Sequence, residues 1–197
     1  MLGYNLDITL LDTHPKIERK ITISKSTTFR QLHEIIEVLF GFSDTNKYVF
    51  HINEDVRLFE YSDVGYCYDD VYECSLDEYF KENFTYGYEY RAKSIWLVKI
   101  HVKDQIDDAL NYPQVKSIKG KYNPSKISDI TTFNQILLYK KNPSKYPIEL
   151  YEDELNSIEV INKQKIQERL NKLFNIEKAE DENIIDSTYS LDKYLNM

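Results

Sequence analysis

Residues Thr27–Phe50 read TTFRQLHEIIEVLFGFSDTNKYVF, and this stretch decides the fold. Thr28 sits where a helix N-cap belongs, and Gln31, three residues on, completes a capping box. Phe29, Leu32, Ile36, Leu39 and Phe40 recur at helical spacing as one apolar stripe, widened by Ile35. Arg30, Glu34 and Glu37 lie away from it. Gly41 stops the helix at a position that favours the left-handed conformation. A polar turn, Phe42–Lys47, leads into a strand through Tyr48, Phe50 and Ile52. A helix with so broad an apolar stripe must pack it on a sheet.

Outward from that stretch the chain supplies the sheet. Tyr4, Leu6, Ile8 and Leu10 alternate with polar residues, which marks a half-buried strand. His14-Pro15 makes a turn, and Ile17, Arg19, Ile21 and Ile23 then alternate along a second strand, so an antiparallel hairpin is expected. Arg19 falls on the isoleucine side, where it either points inward or reaches along the sheet margin to water. Residues 54–82 are acidic and irregular, with one helical turn at Leu76–Phe80 capped by Ser75. Tyr86, Tyr88 and Tyr90 alternate along another strand, and Trp96, Val98, Ile100 and Val102 share one face of the strand after it. Lys103–Asn111 reads as a charged connection. Helices are expected over Thr132–Lys141, stopped by Pro143, and over Lys163–Phe174 behind Asn162.

With 197 residues the chain can bury a core without disulfides or metals. Residues 3–174 read as one α+β domain and 175–197 as an acidic C-terminal tail, with Tyr189–Leu195 patterned for a short helix. Seventeen tyrosines suit half-buried strands or wet interfaces. The net charge of −8 argues against broad nucleic-acid binding, which rests on phosphate neutralisation, but leaves room for a local basic patch. The N-terminus carries no signal-peptide pattern, and no run approaches the roughly 18 apolar residues of a membrane span. Cys67 and Cys74 lack C-x-x-C spacing. A cytoplasmic protein with free thiols is therefore expected, with no membrane contact.

Several features together resemble the plasmid pRiA4b ORF-3-like family, whose members occur in plasmids and mobile elements. Its opening P-x-I-W-R is matched by Pro15-Lys16-Ile17-Glu18-Arg19, with Glu18 in place of Trp. Its T-L-x-x-L-H-x-x-I is matched by Thr28-Phe29, Leu32-His33 and Ile36. Gly41-Phe42 and Tyr48 through Phe50 resemble its G-W-x-x-x-H-L-x-x-F, with Asn46 near the family's His. Tyr86, Tyr88, Glu89 and Tyr90 resemble the start of Y-x-Y-D-F-G-D-x-W-x-H-x-I, after which Arg91, Ala92, Ser94 and Trp96 replace Gly, Asp, Trp and His. Gly120, Pro124, the Phe133–Tyr139 helix and Asn142-Pro143 keep the family's later order, and Ile166–Leu170 resembles its terminal helix. Ser125 and Lys126 stand where the family has an acidic pair. The resemblance implies an α+β fold with an antiparallel or mixed sheet. It also implies a β-grasp-like opening (hairpin, helix, strand) and two or more helices packed on the sheet. It implies no assigned activity.

No phosphate loop, dinucleotide fingerprint, nucleophile elbow or zinc-protease motif is present. His14, His33, His51 and His101 lack metal-ligand spacing. With the family's acidic positions largely replaced, no catalytic residue, metal or cofactor is implied. The expected function is a non-catalytic module from a mobile element, binding protein or nucleic acid. The lysine-rich segment 116–145, Lys119 and Lys121 above all, and the strand of Tyr88 and Tyr90 are its candidate surfaces. The competing expectation is a degenerate metal-dependent hydrolase or nucleic-acid-processing enzyme, with Asp44, Asn46 and Glu89 in a cleft. One pocket gathering Arg19, Asp44, Asn46 and the Tyr86–Trp96 stretch, Glu89 included, would bring these candidates together.

Overall fold

The first two apolar alternations pair as a hairpin. Strand β1 (Gly3–Leu10) lies antiparallel to β2 (Ile17–Ser24), with Leu6 opposite Ile21 and Ile8 opposite Arg19. The computed structural model describes residues 1–42, 47–59, 71, 73–124, 127, 129–147, 155–156 and 158–174. Five further strands extend the sheet: β3 (Tyr48–His51), β4 (Arg57–Leu58), β5 (Thr85–Arg91), β6 (Ile95–Ile106) and β7 (Gln114–Lys119). The order is β4-β3-β5-β6-β1-β2-β7, and every neighbouring pair is antiparallel. A separate small ladder joins β8 (Tyr122–Asn123) to β9 (Glu159–Val160). The class is α+β. The opening order of hairpin, helix and strand holds along the chain, while in the sheet β5 and β6 separate β3 from the hairpin. The tail expected over 175–197 lies outside the described residues.

Helix α1 (Phe29–Phe40) forms where its caps place it. All four donors at its N-terminus are satisfied, which a buried helix end requires. Thr28 N–H donates to Gln31 Oε1 (3.0 Å) and Gln31 N–H to Thr28 Oγ1 (3.2 Å). The N–H groups of Phe29 and Arg30 donate to the carbonyls of Cys74 (3.1 Å) and Val71 (2.9 Å). The segment before helix α2 (Leu76–Tyr79) is thereby tied across the start of α1. At the other end Gly41 takes φ 67°, and Phe42 N–H reaches back to the Glu37 carbonyl. The expected stripe is buried, and His33 is buried with it. Each large apolar side chain so removed from water contributes roughly 1.5–3 kcal/mol.

Helix α3 (Ile130–Lys141) begins two residues before the sequence pattern suggests, because Asp129 caps it through Thr132 N–H (2.9 Å). Helix α4 (residues 163–174) starts behind Asn162, whose Oδ1 accepts from Lys165 N–H (2.8 Å). The structure overturns one expectation and adds one strand. Lys103–Ile106 is not a connection but the end of β6, held by β1 with Gly3 opposite Ile106. Within the lysine-rich segment, β7 is an edge strand of which only Val115 is buried, so it shows no apolar alternation. Gln167 of α4 closes the start of that edge. Its Oε1 accepts from Val115 N–H (2.7 Å) and its Nε2 donates to the Pro113 carbonyl (2.9 Å), as a neighbouring strand would.

Arg19 settles the choice between inward and outward. Its side chain is fully buried rather than extended to water. Nε donates to the Leu39 carbonyl in the last turn of α1 (3.1 Å). Nη1 lies 3.1, 2.8 and 3.0 Å from the carbonyls of Glu18, Lys119 and Gly120, and Nη2 donates to Asn123 Oδ1 (2.9 Å). Burial pulls the guanidinium down to about 10, so it still carries its charge at neutral pH. Lysine has no planar fork and cannot serve these acceptors together. Arg19→Lys is expected to lose at least about 2 kcal/mol in urea unfolding, and Arg19→Met more, because buried carbonyls are left without donors. Stabilities of both variants within about 0.5 kcal/mol of the wild type would contradict this role.

Candidate functional site

The lysine face is built on the Arg19 cage. The guanidinium grips the carbonyls of Lys119 and Gly120, the turn between β7 and β8. Gly120 has φ +76°, and a Cβ there would come within 2.9 Å of Ile17 Cγ1, so this close approach needs glycine. Lys119 and Lys121 flank that glycine and are both exposed. Lys121 Nζ lies 5.3 Å from the centre of the Tyr122 ring, and Lys140 Nζ, from the last turn of α3, lies 5.8 Å from it. Two ammonium groups thus converge on one half-buried ring. Tyr122 is held in place by its ladder partner Val160. One buried cation therefore positions the turn that displays the exposed ones.

The tyrosine strand looks the other way. Tyr88, Tyr90 and Trp96 are all buried, because the alternation of β5 and β6 turns them to the helix side. Tyr90 stacks on Phe42 (4.3 Å between ring centres), and Trp96 meets Phe133 edge to face. Tyr88 Oη lies 2.7 Å from His33 Nδ1. Burial, with Glu37 adding to it, raises the Tyr88 phenol well above its ordinary value. These rings are core and offer no open face to a ligand.

Glu89, between two of them in sequence, projects from the opposite side of the sheet. It meets His51 Nε2 (2.8 Å) and Arg91 Nη2 (2.7 Å). Burial pushes its carboxyl up, but the bonds from Arg91 and His51 outweigh that and leave it below the usual carboxylate value. Asp44 and Asn46 lie outside the described residues. Of the candidates read from the sequence, Arg19, Lys119 and Lys121 come together. Tyr88, Tyr90 and Trp96 sit in the core, and Glu89 on the opposite face.

Other residues emerge only in three dimensions. Asn123 is fully buried beneath the lysine turn, and its one sequence signal is the following proline, a turn marker. His33 is fully buried and stacked on Tyr48 (3.7 Å), with Nε2 3.6 Å from Glu37 Oε1. A cleft of about 410 Å³ opens between α1 and α4, lined in part by Arg30, Glu34, Glu37 and Arg169. None of the sequence candidates among the described residues lines it. Its arginines are engaged, Arg30 with Glu34 (2.8 Å) and Arg169 with Glu159 (2.6 Å). Among the described residues no three His, Cys, Asp or Glu side chains gather to hold a metal ion. No helix among them is long and apolar enough to cross a membrane.

A family model described as "Plasmid pRiA4b ORF-3-like protein" matches residues 3–180. Among solved structures, the crystal structure of a protein of unknown function from Methanosarcina mazei is similar, with a TM-score of 0.64 and 19% identity over 83% of this chain and 96% of that one. At that identity the likeness speaks for the fold alone. No curated protein matches the chain.

The Glu89 cluster makes a pH prediction. Its folded-state value lies below the ordinary 4.5, so its stabilisation is complete above about pH 4.5 and is lost as pH falls through the folded value. Urea unfolding of the wild type and Glu89→Gln should therefore show a stability gap at about pH 7 that closes towards about pH 3. A gap that stays constant over that range would mean that the carboxylate charge contributes nothing.

Proposed function

We propose that this chain, which belongs to the plasmid pRiA4b ORF-3-like family, is a non-catalytic interaction module that meets an acidic protein surface through its lysine face. The observation that carries this reading is the convergence of Lys121 and Lys140 on Tyr122, beside the exposed Lys119. Residues 113–147 hold seven lysines against Asp129, so the face lies in a basic segment of an acidic chain. Complementary charge of this kind steers encounter and suppresses wrong partners more than it adds affinity. A nucleic acid is less well served. Its phosphates would be repelled by the chain's overall charge of −8, and the Tyr122 ring already engages two ammonium groups instead of standing open for a base.

Fluorescence anisotropy with a labelled oligoglutamate peptide and a labelled oligothymidylate tests this. The wild type should bind the peptide, with affinity falling as salt rises. Lys119→Glu combined with Lys121→Glu should weaken that binding at least about tenfold, a loss of roughly 1.4 kcal/mol. Peptide binding that is unchanged in the double variant would overturn the proposal. Tighter binding of the oligothymidylate would overturn the choice of protein over nucleic acid.

A further inference from the structure

Charge is separated along this chain, and among the described residues the two ends of β1 differ in it. Residues 113–147 carry a net charge of +6, which leaves −14 for the rest of a chain whose total is −8. By register, Lys119 stands opposite Glu18, and Glu18 opposite Thr9, near the end of β1. Where β1 begins stand Asp77, Asp104, Asp107 and Asp108, of which Asp77 pairs with Lys25 (2.8 Å) and Asp104 with Lys103 (3.4 Å). Asp104 is opposite Asn5, the Asp107 carbonyl accepts from the amino terminus (3.2 Å), and Asp77 accepts from Tyr4 Oη (3.3 Å). The 8 residues of β1 set the two poles about 25 Å apart.

The acidic pole carries more than charge. Glu82, Asp107 and Asp108 are exposed and have no ion pair among the described residues. Near them the apolar side chains of Leu2 (52% exposed), Leu110 (40%) and Tyr112 (37%) face water. The basic pole offers the matching chemistry: Lys119, Lys121, Lys140, the Tyr122 ring and the exposed Val160. Exposed apolar side chains beside charges without an ion pair mark an interaction surface, and here each pole complements the other.

We infer that the partner of the lysine face is the acidic pole of a second copy of this chain. Two copies lying side by side in opposite directions satisfy both poles at once, and the contact closes as a two-fold dimer instead of growing into a filament. This inference rests on the lysine face being a binding surface, and it names the occupant.

Sedimentation of the purified chain at about 20 mM salt should show a monomer–dimer equilibrium whose dissociation constant rises at least about tenfold at 0.5 M salt, where the screening length falls to roughly 4 Å. Lys119→Glu with Lys121→Glu should sediment as a monomer at low salt, and so should Asp107→Lys with Asp108→Lys. Mixing these two variants should restore a dimer, because both contacts between unlike copies are then complementary: the unaltered poles meet each other, and so do the two reversed ones. Circular dichroism of each variant checks that it is folded. A wild type that stays monomeric at about 200 μM in low salt, or folded variants whose mixture stays monomeric, would overturn the inference. If the wild type is monomeric while the double lysine variant still loses oligoglutamate binding, the second-copy assignment fails and the lysine face stands.

Discussion

The guanidinium of Arg19 is the joint on which the layers of this protein meet. It takes hydrogen bonds to a helix C-terminus, an edge strand, a left-handed turn and the small β8–β9 ladder, and all its acceptors are neutral oxygens. The reason for a charge at that place is an excess of acceptors. The last carbonyls of α1 have no partner within the helix, and a strand end and a turn bring further carbonyls to the same dry spot. An apolar side chain would leave them all unsatisfied, while five N–H donors in a fixed fork serve them together. The cost of burying the charge shows in the guanidinium's fall to about 10.

The second constraint is aromatic. The abundant tyrosines bring rings that fill the helix-facing side of the sheet and hydroxyls that must then find partners in the core. Tyr4 Oη donates to the Phe80 carbonyl (3.1 Å) and Tyr86 Oη to the Tyr79 carbonyl (2.9 Å), so the α2 segment is held by the phenols beneath it. Tyr88 finds His33, which explains a histidine inside the apolar stripe of α1. The tyrosine strand is thus consumed by packing. It leaves no open ring on β5 for a ligand, and the β7–β8 turn presents its lysines on a backbone that Arg19 holds.

Helix α1 was legible because its signals are local. The cap at Thr28, the return bond from Gln31, the stripe and the stop at Gly41 all lie within one stretch, and the structure repeats each of them. The hairpin and the tyrosine alternation were equally legible, since a period of two reports which residues share a face. Edge strand β7 was not. Its partners are β2 on one side and the Gln167 side chain on the other, so it needs no apolar alternation of its own.

The amino-acid sequence by itself determined the class of fold, the ends of α1, the hairpin, the family and the basic stretch that carries Lys119 and Lys121, because periodicity, capping and charge are properties of neighbours in the chain. Tertiary structure alone decided which face of each strand became the core. It made the tyrosine face of β5 part of the core, turned Arg19 inward on carbonyls up to 101 residues away, and set Asp104 and Lys119 towards opposite ends of β1. Those outcomes depend on which backbone oxygens are left without donors once the strands have paired, and that becomes defined only when distant segments meet.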